Sequence, residues 1–475
     1  MKDLNNKWLE LAIVLSAPLL SVIDVFIINV AIPAIKKGVH GTDAEIQLVI
    51  AGYLLGYAAF LITGGRAGDH FGRKKVFFWG MFAFTLTSCL CGLSQTAFQL
   101  NVTRFFQGLS ASFMVPQTIA FIQVLFTDTK ERAKAFGLYG ITLGAAAAIG
   151  QVLGGYLADT HWAIAGWRLI FFINLPIGIL TLWATYKYVT ETPKHQQTKF
   201  DYKGVIILTA ALFSLIYPLI QGREAGWPLW SVILIVLSML IFAYFIYNQK
   251  SLLAKGGNPL VDVRLFQIKD FNIGLMAVLF HFMLHTSYLL LSAVYLQNGL
   301  GVSAWHCGLY FVLPGALFIL SSVIASRAII KYGKRVLQLG VFILMLAFYL
   351  QMQLWKSGTE VWLIVSLMGL WGFGNGLVLP SLLNIALKNV PSQYAGAGAG
   401  IYSTFQQTAS ALGISIIGGV FFHYASQNWQ IAYRAGMIGL LICTALVGIM
   451  LWLLPKTNNR NKVIPNYRDK YPNRN

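Results

Sequence analysis

Apolar residues in this chain gather in long unbroken blocks, not in the every-second or three-then-four spacing of half-buried strands and helices. About 20 consecutive apolar residues is the length a helix needs to cross the hydrocarbon of a bilayer. Fourteen blocks reach it, near residues 10–35, 46–68, 76–95, 98–126, 134–158, 165–189 and 203–221, then 229–248, 271–297, 305–330, 336–355, 360–387, 397–425 and 430–454. They predict fourteen transmembrane helices joined by short polar loops. The first block has no short apolar region closed by a small-residue cleavage site, so it reads as a retained span.

Composition points the same way. Of 475 residues, 57% are hydrophobic and only 11% charged, where a soluble chain carries about a quarter charged. A formal charge of +19 raises the question of nucleic acid, and the placement of the basic residues answers it. With the N-terminus inside, twenty-eight of the 35 Lys and Arg fall in inward loops and tails. Lys36, Lys37, Arg168, Arg223, Lys356 and Arg434 fall outside, and Arg104 lies within a span. This is the positive-inside pattern, and a wrong helix count would scramble it. The expectation is a multi-pass protein of the inner (cytoplasmic) membrane with both termini cytoplasmic, a lipid bilayer around it and no nucleic-acid partner. Cys89, Cys91, Cys307 and Cys443 lie in apolar stretches without metal spacing, so neither a metal nor a cofactor is expected.

Of the sixteen acidic residues only Asp24 lies deep in a span. A carboxylate at that depth is costly and faces a bundle interior or a water-filled cavity. Arg104 is its basic counterpart. At about 1.5 Å of rise per residue, Asp24 lies ~21 Å from the inner end of its span and Arg104 ~9 Å from the outer end of its own. In a core of ~30 Å those depths nearly coincide, so the two can pair directly, through water or through Gln107. Together they are the candidate proton-coupling residues. His281 and His285 stand four apart on one face of the ninth span, with His285 at the depth of Asp24. Histidine titrates near neutral pH. The pair therefore reads as a second proton site or as polar groups lining a cavity, and two ligands without a carboxylate are too few for zinc. Asn29, Tyr53, Tyr57, Gln107, Gln117, Tyr288, Asn375 and Gln406 are candidate contacts for a substrate within the bundle.

Several stretches resemble a known family. Gly64-Gly65-Arg66-Ala67-Gly68-Asp69-His70-Phe71-Gly72-Arg73-Lys74-Lys75, between spans two and three, resembles the signature loop of major facilitator transporters, with Gly65, Asp69, Gly72 and Arg73 as its gating residues. Ser326–Arg335 is a weaker echo eight spans later, the offset that two extra helices between six-helix halves would produce. Asp24–Pro33, Arg104-Phe105-Phe106-Gln107-Gly108, and Trp167-Arg168 with Phe172–Gly178 are similar to motifs of fourteen-span drug:proton antiporters. Two motifs depart from that pattern. The fifth-span antiporter motif has Ala146 for its leading Gly and Gln151 for its Pro, and span thirteen has Gln406-Gln407 where Arg-Gln is common.

The resemblance implies an all-α polytopic membrane protein of the major facilitator fold, two six-helix bundles plus two extra central helices. It divides the chain into an N-terminal bundle over 1–189, a linker with the two extra spans over 190–270, a C-terminal bundle over 271–454 and a cytoplasmic tail over 455–475. The implied function is drug:proton antiport by a monomer whose partners are a small amphipathic substrate and protons. A dedicated exporter of a metabolite, siderophore or lipid, or a proton-coupled importer, is the other reading. No nucleotide-binding loop and no hydrolase motif such as H-E-x-x-H occurs, which sets enzymes and primary pumps aside.

Overall fold

The structure is a computed structural model that describes residues 4–160, 164–191, 201–387, 390 and 395–454. The expected tail over 455–475 lies outside the described residues. Among them, fourteen helices are long and apolar enough to span a bilayer. Spans 1 to 7 are Lys7–Val39, Asp43–Gly68, Arg73–Leu93, Ala97–Leu125, Lys130–Ala158, Gly166–Tyr188 and Tyr202–Gly222. Spans 8 to 14 are Leu229–Ala254, Lys269–Gly299, Ala304–Ile329, Arg335–Leu354, Val361–Leu387, Gly398–Ala425 and Trp429–Leu453. The blocks counted in the sequence are thus the helices of the fold, most of them longer at one or both ends.

Helix ends follow local chemistry. Thr42 and Glu45 form a reciprocal capping box at the start of span 2. Asp128 accepts from Lys130 N and Glu131 N at the start of span 5. Gly72 alone separates the helix of span 2 from that of span 3, with φ at 103°. A side chain there would be strained, and its Cβ would lie 2.7 Å from Glu191 Oε2. Glu191 instead caps the start of span 3, accepting from Lys74 N and Lys75 N.

Spans 1–6 and spans 9–14 form two six-helix bundles, with spans 7 and 8 as the additional pair. Two seams join the bundles. Along the first, spans 2 and 13 stay together: a Cβ on Gly400 would lie 3.5 Å from Ile62, and one on Gly418 3.7 Å from Gln47. Span 7 packs against both of these helices and covers that seam.

The second seam, between spans 5 and 10, changes along its length. Gly137, Gly140, Gly144, Gln151 and Gly155 recur on one helical face. A Cβ at Gly155 would sit 2.4 Å from Ala304 O, and one at Gly308 2.7 Å from Gln151 O. Trp305 N donates to Asp159 Oδ2 at 2.8 Å across the same end. Further along, a Cβ on Gly144 would meet only Ile319, at 3.8 Å, and at Gly140 and Gly137 it would meet nothing within 4 Å. The bundles therefore touch at the end away from the Lys- and Arg-rich loops and part toward the basic end.

The extra pair is anchored by Asp201. Its Oδ1 accepts from Gly204 N at 2.7 Å, and its Oδ2 from Gln249 Nε2 at 2.7 Å and Leu260 N at 3.1 Å. Gln249 Oε1 accepts from Val261 N at 2.9 Å. One buried carboxylate thus ties the start of span 7, the end of span 8 and the strap leading to span 9.

Candidate functional site

Close approach of spans 2 and 4 sets the height at which the site forms. A Cβ on Gly108 would lie 1.9 Å from Tyr53 O, and one on Gly56 2.2 Å from Phe105 O. Missing side chains let the two backbones meet, as small residues do between membrane helices. Arg104, one turn before Gly108, is thereby pressed into span 2. Its Nε donates to Val49 O at 3.0 Å, and its guanidinium lies 4.4 Å from the centre of the Tyr53 ring.

From that position Arg104 Nη1 donates to Asp24 Oδ2 and, at 2.7 Å, to Gln107 Oε1. Gln107 Nε2 donates to Asp24 Oδ1 at 2.8 Å, and Asn174 Nδ2 reaches the same oxygen at 3.3 Å. Asn174 also donates to Ser88 Oγ at 2.9 Å, and Ser88 donates to Phe171 O at 2.8 Å. Asp24 is 0% and Arg104 1% exposed. The result is a closed polar network drawn from spans 1, 2, 3, 4 and 6. Its formal charges cancel, and both carboxylate oxygens are satisfied. A buried pair of this kind is stable only as a pair, because either charge alone is costly in a low-dielectric interior. Adding a proton to Asp24 would remove one charge and leave Arg104 unbalanced.

Tyr53 OH and Ser21 Oγ share a hydrogen bond of 2.8 Å, and the Tyr57 ring meets the Tyr53 ring edge-on at 6.1 Å. These two tyrosines border the network. Asn29, fully buried five residues beyond Asp24, donates to Val25 O at 3.3 Å and does not join it. Gln117 is used lower on span 4, where Nε2 donates to Gly64 O at 2.7 Å and holds the basic end of span 2. Gln406 is half-buried on span 13.

In the C-terminal bundle the structure joins residues that the sequence left separate. Asn375 of span 12 sits between the two histidines of span 9, with Oδ1 at 2.9 Å from His281 Nε2 and Nδ2 at 3.1 Å from His285 Nδ1. Trp371 lies almost parallel to His285, ring centres 5.6 Å apart, and stacks on Tyr288 at 4.2 Å. Phe26 of span 1 meets His285 edge-on at 6.5 Å.

At the signature loop, Arg73 Nη1 donates to Ala120 O at 3.1 Å. Arg66 Nη2 donates to Pro259 O at 2.7 Å, so the loop grips the strap before span 9. Gly65 faces Pro116 of span 4 at 3.8 Å. The Asp69 side chain lies outside the described residues. Sequence reasoning missed Asn174 and Ser88 as members of the Asp24 network. Both are polar positions in apolar spans, and that is the signal that would have found them.

Fourteen spans, two linked bundles and an internally compensated charge pair define a polytopic transporter scaffold. Consistent with this, the sequence profile of the Major Facilitator Superfamily matches residues 14–414. This chain belongs to the Major Facilitator Superfamily. It is 33% identical over 426 residues to the "Probable actinorhodin transporter" of Streptomyces coelicolor, covering 88% of this chain and 73% of that protein. To the "Multidrug resistance protein Stp" of Mycobacterium tuberculosis (strain CDC 1551 / Oshkosh) it is 29% identical over 410 residues, covering 86% and 74%. Among solved structures, a bacterial homologue of the human lysosomal transporter Spinster superposes with a TM-score of 0.67 at 14% identity, over 93% of this chain and 95% of that one. A D-xylose–proton symporter gives 0.64 at 14% identity, over 95% and 99%. These two likenesses concern the fold.

Proposed function

We propose that this chain is a proton-driven exporter of small amphipathic molecules. It works as a monomer in the inner membrane, with the basic face and both termini in the cytoplasm and no enzymatic step. Its working parts are the bundles 1–189 and 271–454, with the segment 190–270 linking them and 455–475 as a cytoplasmic tail. The observation that carries this reading is Asp24: fully buried, held by Arg104, Gln107 and Asn174, and removable from its ion pair by a single proton. The relatives named as transporters and resistance proteins support export as the direction.

In this scheme Asp24 takes a proton when the far face is open. The carboxyl group then no longer balances Arg104, and the network rearranges as the bundles rock. On opening toward the basic face the Asp24–Arg104 pair re-forms, and the proton leaves to the cytoplasm while a substrate enters. The present arrangement, joined at Asp159–Trp305 and parted at Gly137–Gly140, fits the cytoplasm-open half of that cycle. Glycines and Arg73 of the signature loop steady the inner ends during the movement.

The test uses full-length protein in liposomes with an imposed proton gradient, ethidium or puromycin as the transported probe, and a pH dye inside. Wild type is expected to move probe and protons in opposite directions. Asp24→Asn, inserted and folded, is expected to lose the proton-driven component. Unchanged proton-driven efflux by that variant refutes the assignment.

A further inference from the structure

We propose that His281, Asn375 and His285 form a second proton-binding site, in the C-terminal bundle, that holds one proton and never two. This rests on the reading of the chain as proton-coupled and adds to it a site and a count. The argument starts from what a carboxamide can offer. Asn375 presents an acceptor on one side and donors on the other. With Oδ1 toward His281 and Nδ2 toward His285, His281 donates its Nε2–H and His285 accepts at Nδ1. Turned over, the amide exchanges the two roles, and again only one ring donates to it.

One extra proton fits this arrangement without breaking a bond. His281 Nδ1 is buried and has no hydrogen-bond partner. Protonated there, the ring still donates from Nε2 to Asn375. A further proton would have to go on His285 Nδ1, where it would face the amide N–H of Asn375. Two donors would then oppose each other across a buried contact, which is strongly unfavourable. The step itself is simple: a neutral imidazole takes a proton from the far-face water and later returns it to the basic-face water. No other bond forms or breaks.

The surroundings leave the pair to itself. Spans 1, 12, 13 and 14 pack against span 9, and the start of span 10, with His306, Cys307 and Tyr310, meets its far end, where Cys307 Sγ lies 3.9 Å from Ala293 O. Span 12 carries no charged residue and contributes Trp371 and Asn375. The titratable groups of span 13 are Tyr402, His423 and Tyr424, and those of span 14 are Tyr433, Arg434 and Cys443. Span 1 presents the edge of Phe26, while its Asp24 is engaged within the N-terminal bundle. Span 9 itself adds Tyr288 and, at its ends, Lys269, Asp270 and Tyr295; the short helix before it adds Arg264, paired with Asp262. Among the described residues, the ionisable ring beside His281 is that of His285, with ring centres 6.4 Å apart.

With no carboxylate opposite, a charge on the pair is carried only while water reaches it. His285 is the half-buried member beside span 1, at the junction of the bundles, so hydration there follows the rocking movement. With the amide turned over, the single proton resides on His285 instead, and the near-parallel Trp371 ring gives that imidazolium a π-face to rest on.

The experiment uses the full chain with 15N-labelled histidine in lipid nanodiscs, titrated from about pH 9 to about pH 4, a range that brackets histidine. His281→Gln and His285→Gln assign the signals. One imidazolium equivalent from the pair is the expected result; none, or two, overturns the proposal. Asn375→Asp offers two acceptors in place of one, so both rings can then donate and the count is expected to rise to two. In the liposome assay, wild type is expected to return one more proton per probe molecule than His281→Gln. A wild type that moves protons through Asp24 with an unchanged ratio in His281→Gln overturns this site alone. A wild type that moves no protons overturns the transport scheme with it.

Discussion

The Asp24–Arg104 pair lends itself to a double-mutant cycle that separates its structural role from its coupling role. Asp24→Asn puts an amide N–H2 where a carboxylate oxygen now accepts from Arg104, leaving a buried guanidinium uncompensated. Breaking a buried pair from one side costs about 3–5 kcal/mol. Arg104→Gln leaves the carboxylate with Gln107 and Asn174 only, at a similar cost, and also forfeits the contact with the Tyr53 ring, worth about 1–2 kcal/mol when desolvated. The double variant buries no charge. Its loss reduces to missing hydrogen bonds, about 1–3 kcal/mol, plus the same Tyr53 ring contact that Arg104→Gln forfeits. Thermal unfolding of the four proteins in one detergent is therefore expected to give a double-variant loss at least about 3 kcal/mol smaller than the sum of the singles. The same double variant in liposomes is expected to carry no proton-driven probe flux. Additive losses would refute the compensated pair as the reason for its stability, and surviving proton-driven flux would refute its role in coupling.

Three further outcomes follow from the packing. Gly108→Ala drives a methyl to within 1.9 Å of the Tyr53 carbonyl, so it should cost about 1–3 kcal/mol and lower transport by displacing Arg104, read as a fall in unfolding temperature together with flux. Asp201→Ala strands Gln249 Nε2 and Leu260 N, and a loss of about 2–4 kcal/mol with increased proteolysis of the strap at 255–262 is expected. Asp159→Ala removes the acceptor that holds Trp305 N across the far face, at about 1–2 kcal/mol. It should shift the population toward far-face opening by roughly tenfold, measured as faster labelling of a cysteine placed at Gln151.

Depth was readable from the sequence because helical rise is fixed. Two deep charges of opposite sign, at equal height in spans 1 and 4, are in contact in the structure. Azimuth was not readable. Height alone gives no sign that Asn174 of span 6 and Ser88 of span 3 turn toward Asp24, nor that Asn375 of span 12 lands between two histidines of span 9. Nor does height alone show that Gln117 Nε2 turns to Gly64 O of span 2. Helix interruptions near Leu15, Ile173 and Phe311 left no mark in the hydropathy pattern, because each keeps the chain apolar while changing only its hydrogen bonding. Span 5 runs as one helix from Thr129 to Ala158, in keeping with Gln151 standing where the family carries a proline.

The two extra spans bear on how the bundles move. Span 7 lies against spans 2 and 13 and closes that seam from the lipid side, while Asp201 fastens its basic-face end and the Arg66 grip on Pro259 holds the neighbouring strap. Spans 5 and 10 have no such cover, and their facing glycines go from backbone contact at Gly155 to empty space at Gly140 and Gly137. If rocking opened both seams equally, span 7 would have to leave one of its two neighbours in each cycle, and the Asp201 knot would be strained each time. A hinge on the covered seam avoids this. A disulfide linking Ile62→Cys to Gly400→Cys, in a chain whose four native cysteines are replaced, should then leave proton-driven probe flux nearly intact. One linking Gly155→Cys to Ala304→Cys should abolish it, because it locks the seam that must open. Equal inhibition by both cross-links would mean that the two seams open together and that span 7 does not act as the hinge cover.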